Sequence, residues 1–352
     1  MAGGSGERFW PLSRKLRPKQ LLRLGSEERV MLQEALDRIG QVFSIEDTFI
    51  LTSAELVEAT LAACPDFPAD QIIAEPMRRN TAGCLTYFAA LSQQWGPDVT
   101  MAVFPADHRI SPVESFGNDV LKALQICEAE SSIVAIGIVP TRPDTGFGYI
   151  EAGPTDSDRS ESSARQAKRF HEKPSLELAE EYVADPHFFW NSGMFFWTTK
   201  TFARELKLTS PRHHDAYGAM VEQLARRDRD AVVRTFASLP DISIDYALLE
   251  RARQISVLPA SFQWDDMGSW DALARYQTAD SRGNVAVGDT VLVRTADCIV
   301  HNSAKNVTIA LQDVYDLLVV ATDDAILVCD RAKSQTVRDV VTELKRRESE
   351  KI

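Results

Sequence analysis

The sequence predicts an α/β fold: a mostly parallel sheet covered by helices on both faces, followed by a small β-rich domain. Three observations carry this. Strand-like and helix-like runs alternate through the first part of the chain, the order that builds parallel sheets with helical crossovers. Runs such as VTMAVF (99–104) and SIVAIGIV (132–139) are almost wholly apolar, as strands buried on both faces must be. From Arg282 to Asp330 the pattern changes to short β-branched runs separated by Gly, Asn and Asp. We therefore expect a domain over 1–278 and a smaller β-rich one over 279–352.

The elements follow in order. VMLQEALDRI (30–39) has helical apolar spacing. DTFILT (47–52) reads as a strand, and Ser53 is placed to cap a helix reaching about Cys64. QIIAEP (71–76) is a short strand entering a loop, Thr81 to Trp95 a helix, and VTMAVFPAD (99–107) a buried strand ending in Pro-Ala-Asp. A helix over about 113–130 precedes the strand SIVAIGIVP (132–140). The polar stretch 153–163 reads as a hairpin tip or mobile loop. QAKRFHEKP (166–174), FFWNSGMFFW (188–197) and SFQWDDMGSW (261–270) read as strands with polar ends. Helices fall near 175–184, 198–207, 211–228 and 243–252. His213 and His214, at a polar helix start, are expected to be solvated. Phe188, Phe189, Trp190, Phe195, Phe196 and Trp197 are assigned to the core. The β-rich part lacks strict six-residue periodicity, so it reads as short and solenoid-like. A charged amphipathic helix over 333–347 closes the chain.

Composition narrows the function. A chain of 352 residues suits one large domain and a smaller one. No apolar run reaches the ~18–20 residues that span a bilayer, and no signal peptide is visible. The net charge of −12 argues against a nucleic-acid partner. Phosphate binding on such a chain must rest on local cations and a metal. The five cysteines form no C-x-x-C pair, which suits reduced, mostly buried thiols of a cytoplasmic protein.

The chain opens with AGGSGERFWPLSRKLRPKQ (2–20). Gly3, Gly4 and Gly6 let the backbone approach a ligand, and exposed N–H groups there can cradle phosphate oxygens. Arg8 and Lys19 supply cations beside them. The spacing fits neither the P-loop nor the dinucleotide fingerprint. G-G-x-G-x-R followed by P-L-S and P-K-Q instead resembles the sugar nucleotidyltransferases. P-K-Q with Gln20 is similar to the mannose-1-phosphate guanylyltransferase branch. The resemblance implies a Rossmann-like nucleotidyltransferase sheet of GT-A type. In that family the glycine loop follows a central strand, so we expect such a strand to precede Met1. Its sheet neighbours would otherwise lack partners.

The remaining assignments are what this resemblance implies. Ala2, Gly3, Gly4 and Gly6 lie along the nucleotide, with Arg8 on its β and γ phosphates. Asp107 in FPADH and Asp266 in WDDMGSW bind Mg²⁺, which needs only one or two protein carboxylates. Asp265 falls on the opposite face of its strand. In EPMRRNTAG (75–83), Glu75, Arg79, Asn80 and Thr81 bind the nucleotide, Glu75 and Asn80 being suited to guanine's hydrogen-bonding edge; Thr81 also suits a helix cap, and Arg78 suits solvent. Glu172 and Lys173 of HEKP, with Gly148 and Asn191, face the sugar and its phosphate. Arg8, Lys19, Asp107 and Lys173 are the catalytic set. The implied reaction joins GTP and mannose 1-phosphate into GDP-mannose and pyrophosphate. The alternatives are a different base or sugar, or a non-catalytic nucleotide-sugar sensor. Isomerase activity is not expected, and a homodimer is left open.

Overall fold

The computed structural model describes residues 1–4, 6–24, 28–154 and 164–352; most of the stretch read as a hairpin tip lies outside these. In chain order the first part forms α1 (Met31–Ile39), β1 (Ile50–Ser53), α2 (Val57–Ala63), β2 (Ile72–Glu75), α3 (Asn80–Ser92), β3 (Thr100–Val103), β4 (Arg109–Ser111), α4 (Val113–Glu130), β5 (Ile133–Ile138) and β6 (Tyr149–Ala152). There follow β7 (Arg165–His171), α5 (Leu176–Ala184), β8 (Phe188–Thr198), α6 (Thr199–Thr209), α7 (Pro211–Ala225), α8 (Arg229–Ala237), β9 (Ile255–Pro259), β10 (Gln263–Asp265) and α9 (Trp270–Ala274).

The main sheet runs β3-β8-β5-β9-β7-β6, with β6 also touching β8. Its pairings are mixed. β5 and β9 pair in parallel, whereas β8 runs antiparallel to β3, β5 and β6. β3, β5, β6 and β9 thus share one direction, and β7 and β8 oppose them. The α/β class stands, with helices on both faces. β8 shows why both faces are covered: Phe189, Phe195 and Trp197 enter one core and Trp190, Met194 and Phe196 the other, the two-residue alternation of a strand. These aromatics are core residues, as expected. Gly137 lies where the β5–β8 register shifts, and a Cβ there would sit 2.5 Å from Val257 and 2.8 Å from Phe189. Glycine permits that close approach.

β1 and β2 form a separate parallel pair. Met1 and Ala2 lie between it and the main sheet. Ala2 N–H donates to Leu51 O (2.8 Å), the Met1 amino group to Phe104 O (2.7 Å), and Ala106 N–H to Met1 O (3.1 Å).

Three local expectations need correction. Ser53 Oγ does not cap the following helix and has no hydrogen-bond partner among the described residues. His213 is fully buried, its Nδ1 2.7 Å from Ser210 Oγ, because tertiary packing covers the start of α7. The stretch near 243–252 is a π-helical turn over Asp245–Leu249.

The C-terminal part contains β11 (Val285–Val287), β12 (Thr290–Val293), β13 (Ile299–Asn302), β14 (Ile309–Gln312), β15 (Leu317–Ala321), β16 (Ile326–Asp330) and α10 (Val337–Arg346). β11, β13 and β15 stack in parallel, as do β12 and β14. Val285 lies beside Ile299 and Ile299 beside Leu318, so successive coils differ in length and no short repeat shows in the sequence. This module shares a core with the opening segment: Phe9, Trp10 and Leu12 pack among Trp270, Val285, Leu318, Val337 and Val341. Lys345 pairs with Glu7 (2.6 Å), and Trp10 Nε1–H donates to Lys351 O (2.8 Å). Among the described residues no helix is long and apolar enough to cross a membrane.

Candidate active site

The glycine loop turns at Gly6, whose φ is +61°. A Cβ at Gly6 would lie 2.5 Å from Lys19 Cβ and 2.6 Å from Lys19 N. Glycine is thus required both for the backbone angle and for the closeness of the two segments. Gly3 and Gly4 N–H groups have no backbone partner among the described residues. Arg8 follows on a short 3₁₀ turn over Glu7–Phe9, half-buried and with no hydrogen-bond partner among the described residues. Gln20 holds the loop's start, donating from Nε2 to Ala2 O.

Lys19 is buried and is the hub of the charged centre. Its Nζ donates to Asp107 Oδ2 (2.7 Å) and to the carbonyl of Asp266. Burial alone would push the Asp107 carboxyl up, but Lys19 overrides this and holds it below the ordinary range. Asp266 is pushed up, by burial first and further by Asp265 and Asp107. β10 pairs with β4 so that Asp265 faces Arg109, which brings Asp266 beside the Asp107 turn. Gly268 completes the cradle: its N–H donates to Asp266 Oδ1 (2.9 Å), and a Cβ there would strike Oδ2 at 2.3 Å. Asp265 points away, accepting from Met267 N–H (2.8 Å) and Arg275 (2.6 Å). His108 backs the centre. Its Nδ1 accepts from Trp264 Nε1–H (3.0 Å), and burial lowers its pKa to about 4, so it is neutral at pH 7.

On the loop's other side, Glu75 ends β2, its carboxylate 3.5 Å from where a Gly3 Cβ would stand. Burial pushes its pKa up to about 7. The neighbouring residues do not all converge here. Arg79 donates to Ala237 O from Nε (3.2 Å) and Nη2 (2.7 Å), tying α3 to the end of α8. Asn80 is exposed at φ +56°, its Oδ1 accepting from Thr81 N–H (2.9 Å). Thr81 Oγ1 accepts from Ile244 N–H (2.8 Å). Arg78 is exposed.

A third group sits past the Asp107 turn. Gly193, at φ +71°, packs against Pro105, which places β8 against that turn. A Cβ on Gly148 would lie 2.5 Å from Glu172 Oε2 and 3.5 Å from Asn191 Cβ, so these two side chains flank one slot. Lys173 is exposed, at φ +49°, and pairs with Glu172 (2.7 Å); that contact raises its pKa. Asp245, which in sequence is one polar residue in a helical stretch and carries no motif, accepts from Asn191 Nδ2 (2.8 Å). His108, Trp264 and Gly268 were likewise legible only as neighbours of the marked aspartates. A separate groove of about 660 Å³ between α1 and α4, lined by Glu34, Arg38 and Glu114 among others, holds none of these residues.

The structure thus brings together a glycine loop, a lysine joined to the Asp107 carboxylate and the Asp266 carbonyl, and a slot flanked by Glu172 and Asn191, on an α/β fold of the nucleotidyltransferase class. Comparison with known proteins agrees. The nucleotidyl transferase family profile matches residues 1–283, and that of the mannose-phosphate isomerase/GMP-like β-helix domain matches 288–344. Mannose-1-phosphate guanylyltransferases of Klebsiella pneumoniae and Escherichia coli K12 are each 36% identical; the matches cover 98% of this chain and 73% and 72% of theirs. A Thermus thermophilus structure described as a mannose-1-phosphate geranyltransferase is 33% identical, with a TM-score of 0.86 over 98% of both chains. The chain belongs to the nucleotidyltransferase family, in its mannose-1-phosphate guanylyltransferase branch.

Proposed function

We propose that this chain transfers GMP from GTP to mannose 1-phosphate, with Mg²⁺ as cofactor. The observation that carries the reading is the placement of one Lys19–Asp107–Asp266 centre between two half-sites. On one side lie the glycine loop, Arg8 and Glu75. On the other lie Gly148, Glu172 and Asn191. Asp107 and Asp266 carry carboxylates near enough for the Asp107 charge to raise the Asp266 carboxyl, and one or two such oxygen donors suit Mg²⁺, a hard cation that otherwise takes phosphate and water oxygens. When bound, Mg²⁺ supplies positive charge to the phosphates of both substrates.

The phosphate oxygen of mannose 1-phosphate attacks the α-phosphorus of GTP. A new P–O bond forms, the bond to the bridging oxygen of the β-phosphate breaks, and pyrophosphate leaves with that electron pair. The attacking oxygen is already anionic, so no general base is needed. Transfer of this kind depends mainly on positioning and charge. Loop N–H groups and Arg8 hold the departing phosphates, Lys19 offsets developing charge, and Lys173 meets the sugar phosphate.

Pyrophosphate release from each of four nucleoside triphosphates with mannose 1-phosphate tests this. GTP should be strongly preferred. Preference for UTP or dTTP with glucose 1-phosphate would overturn the assignment. Release no faster than that of an Asp107→Asn variant would instead indicate a nucleotide-sugar binder without turnover.

A further inference from the structure

Asp245 stands beside the sugar-facing slot with no part in the transfer described above. It lies on the π-helical turn, where Glu250 N–H reaches back five residues to Asp245 O (2.9 Å). Such turns re-aim side chains from the ordinary helical path. Its Oδ1 accepts one Nδ2–H of Asn191 (2.8 Å). The opposite end of that amide is also held: Asn191 Oδ1 accepts from Gly193 N–H (3.0 Å). The Asn191 backbone is fixed by its N–H donating to Gly148 O (2.8 Å). Flipping the amide would set its oxygen against the Asp245 carboxylate and its NH₂ against the Gly193 N–H. Both contacts would become repulsive, so one orientation survives. A primary amide has two N–H donors and two carbonyl lone pairs. One of each is occupied, leaving one of each without a partner among the described residues.

We infer that Asp245 is a positioning residue for sugar recognition: it locks Asn191 so that the free N–H and free lone pair meet two adjacent ring hydroxyls of the hexose. The inference rests on the reading that this slot receives the mannosyl group. Vicinal hydroxyls each donate and accept, so a fixed donor–acceptor pair reads their spacing and stereochemistry. Glu172 on the other flank adds a second acceptor. Burial first, and then the Glu172 charge, raise the Asp245 carboxyl, in keeping with two carboxyl groups lining one enclosed site.

Calorimetric titration with GDP-mannose and with GDP isolates the sugar's share of binding. In the wild type, GDP-mannose should bind more tightly than GDP, since the phosphate contacts are common to both. Asp245→Ala should cut the GDP-mannose-to-GDP affinity ratio about tenfold, with GDP affinity unchanged. Asp245→Asn, whose carbonyl can still accept from Asn191, should recover most of that ratio. In an Asn191→Ala background, Asp245→Ala should have no further effect on the ratio. If Asp245→Ala does not fold, Asp245→Ser takes its place: it keeps polarity, but its hydroxyl stops one bond short of the carboxylate oxygen that holds Asn191. An unchanged ratio in the folded variant, an equal loss for GDP, or additive losses in the double variant would overturn the inference. A wild type with no preference for GDP-mannose would overturn the reading of the slot itself.

Discussion

Replacing Glu75 with glutamine should remove a pH-dependent penalty on folding. Glu75 ends β2 in a partly enclosed position beside Gly3, and burial raises its pKa from 4.5 to about 7. The folded protein therefore keeps a proton that the unfolded chain releases once pH passes the unfolded value. The stabilising contribution is complete below pH 4.5 and is lost as pH rises to about 7. Moving a pKa by one pH unit corresponds to about 1.4 kcal/mol, so the ceiling is roughly 3 kcal/mol. A glutamine side chain carries no charge to desolvate. The melting temperature of Glu75→Gln minus that of wild type should widen from pH 5 to pH 7.5 and then level off. At about 1.4 °C per kcal/mol for a chain of 352 residues, the final gap is about 4 °C. GTP binding supplies a second signature. Guanine's N–H edge favours the ionised carboxylate, so wild-type affinity should rise through pH 7, while the Glu75→Gln variant stays weaker and flat. A melting gap that is constant, or that narrows with pH, would refute the argument.

Asp107→Asn should lower kcat about 100-fold or more with the melting temperature held, because the variant keeps shape but loses the charge that attracts Mg²⁺; wild-type turnover at ordinary Mg²⁺ would exclude the assignment. Asp265→Asn should do the reverse, keeping kcat but destabilising the fold by about 1–3 kcal/mol, since it weakens a buried acceptor of Arg275 and Met267; thermal melts and active-site-normalised rates separate the two. Arg8→Ala should raise KM for GTP about 10–150-fold, the range for a lost charged hydrogen bond, and leave mannose 1-phosphate binding intact. Gly148→Ala puts a methyl 2.5 Å from Glu172 Oε2, so KM for mannose 1-phosphate should rise while KM for GTP holds; equal changes in both would place the slot elsewhere.

Much of the site was legible because its chemistry needs particular residue types within short spans. Gly6 is one case: a positive φ against Lys19 leaves room for no other residue. Asp265 and Asp266 are another: the sequence expects them to face apart, and they do take different partners, although Asp266 lies just past the end of β10. Asp265 accepts from Arg275, whereas Asp266 accepts from Gly268 N–H at Oδ1 and from Lys19 at its backbone carbonyl. The neighbours of Glu75 were less legible. Arg79 follows the expected spacing, yet its guanidinium is held by Ala237 O, 158 residues away. No local pattern marks that carbonyl as its partner.

The sequence by itself determined the α/β class, the core aromatics of β8 and the tight glycine turn at Gly6. Each follows from periodicity or from a residue type that a backbone conformation cannot replace, whereas the aspartates were marked by resemblance to a family. The tertiary structure alone decided which charges meet. Lys19 meets the Asp107 carboxylate across 88 residues and the Asp266 backbone carbonyl across 247, and the Asp245 carboxylate meets the Asn191 amide across 54. It also decided that β8 runs antiparallel between β3 and β5, and that His213 is buried. Local propensity is settled by neighbours a few positions apart. Strand direction, charge pairing and burial depend on segments brought together by the whole core, whose packing outweighs the small preferences of any one residue.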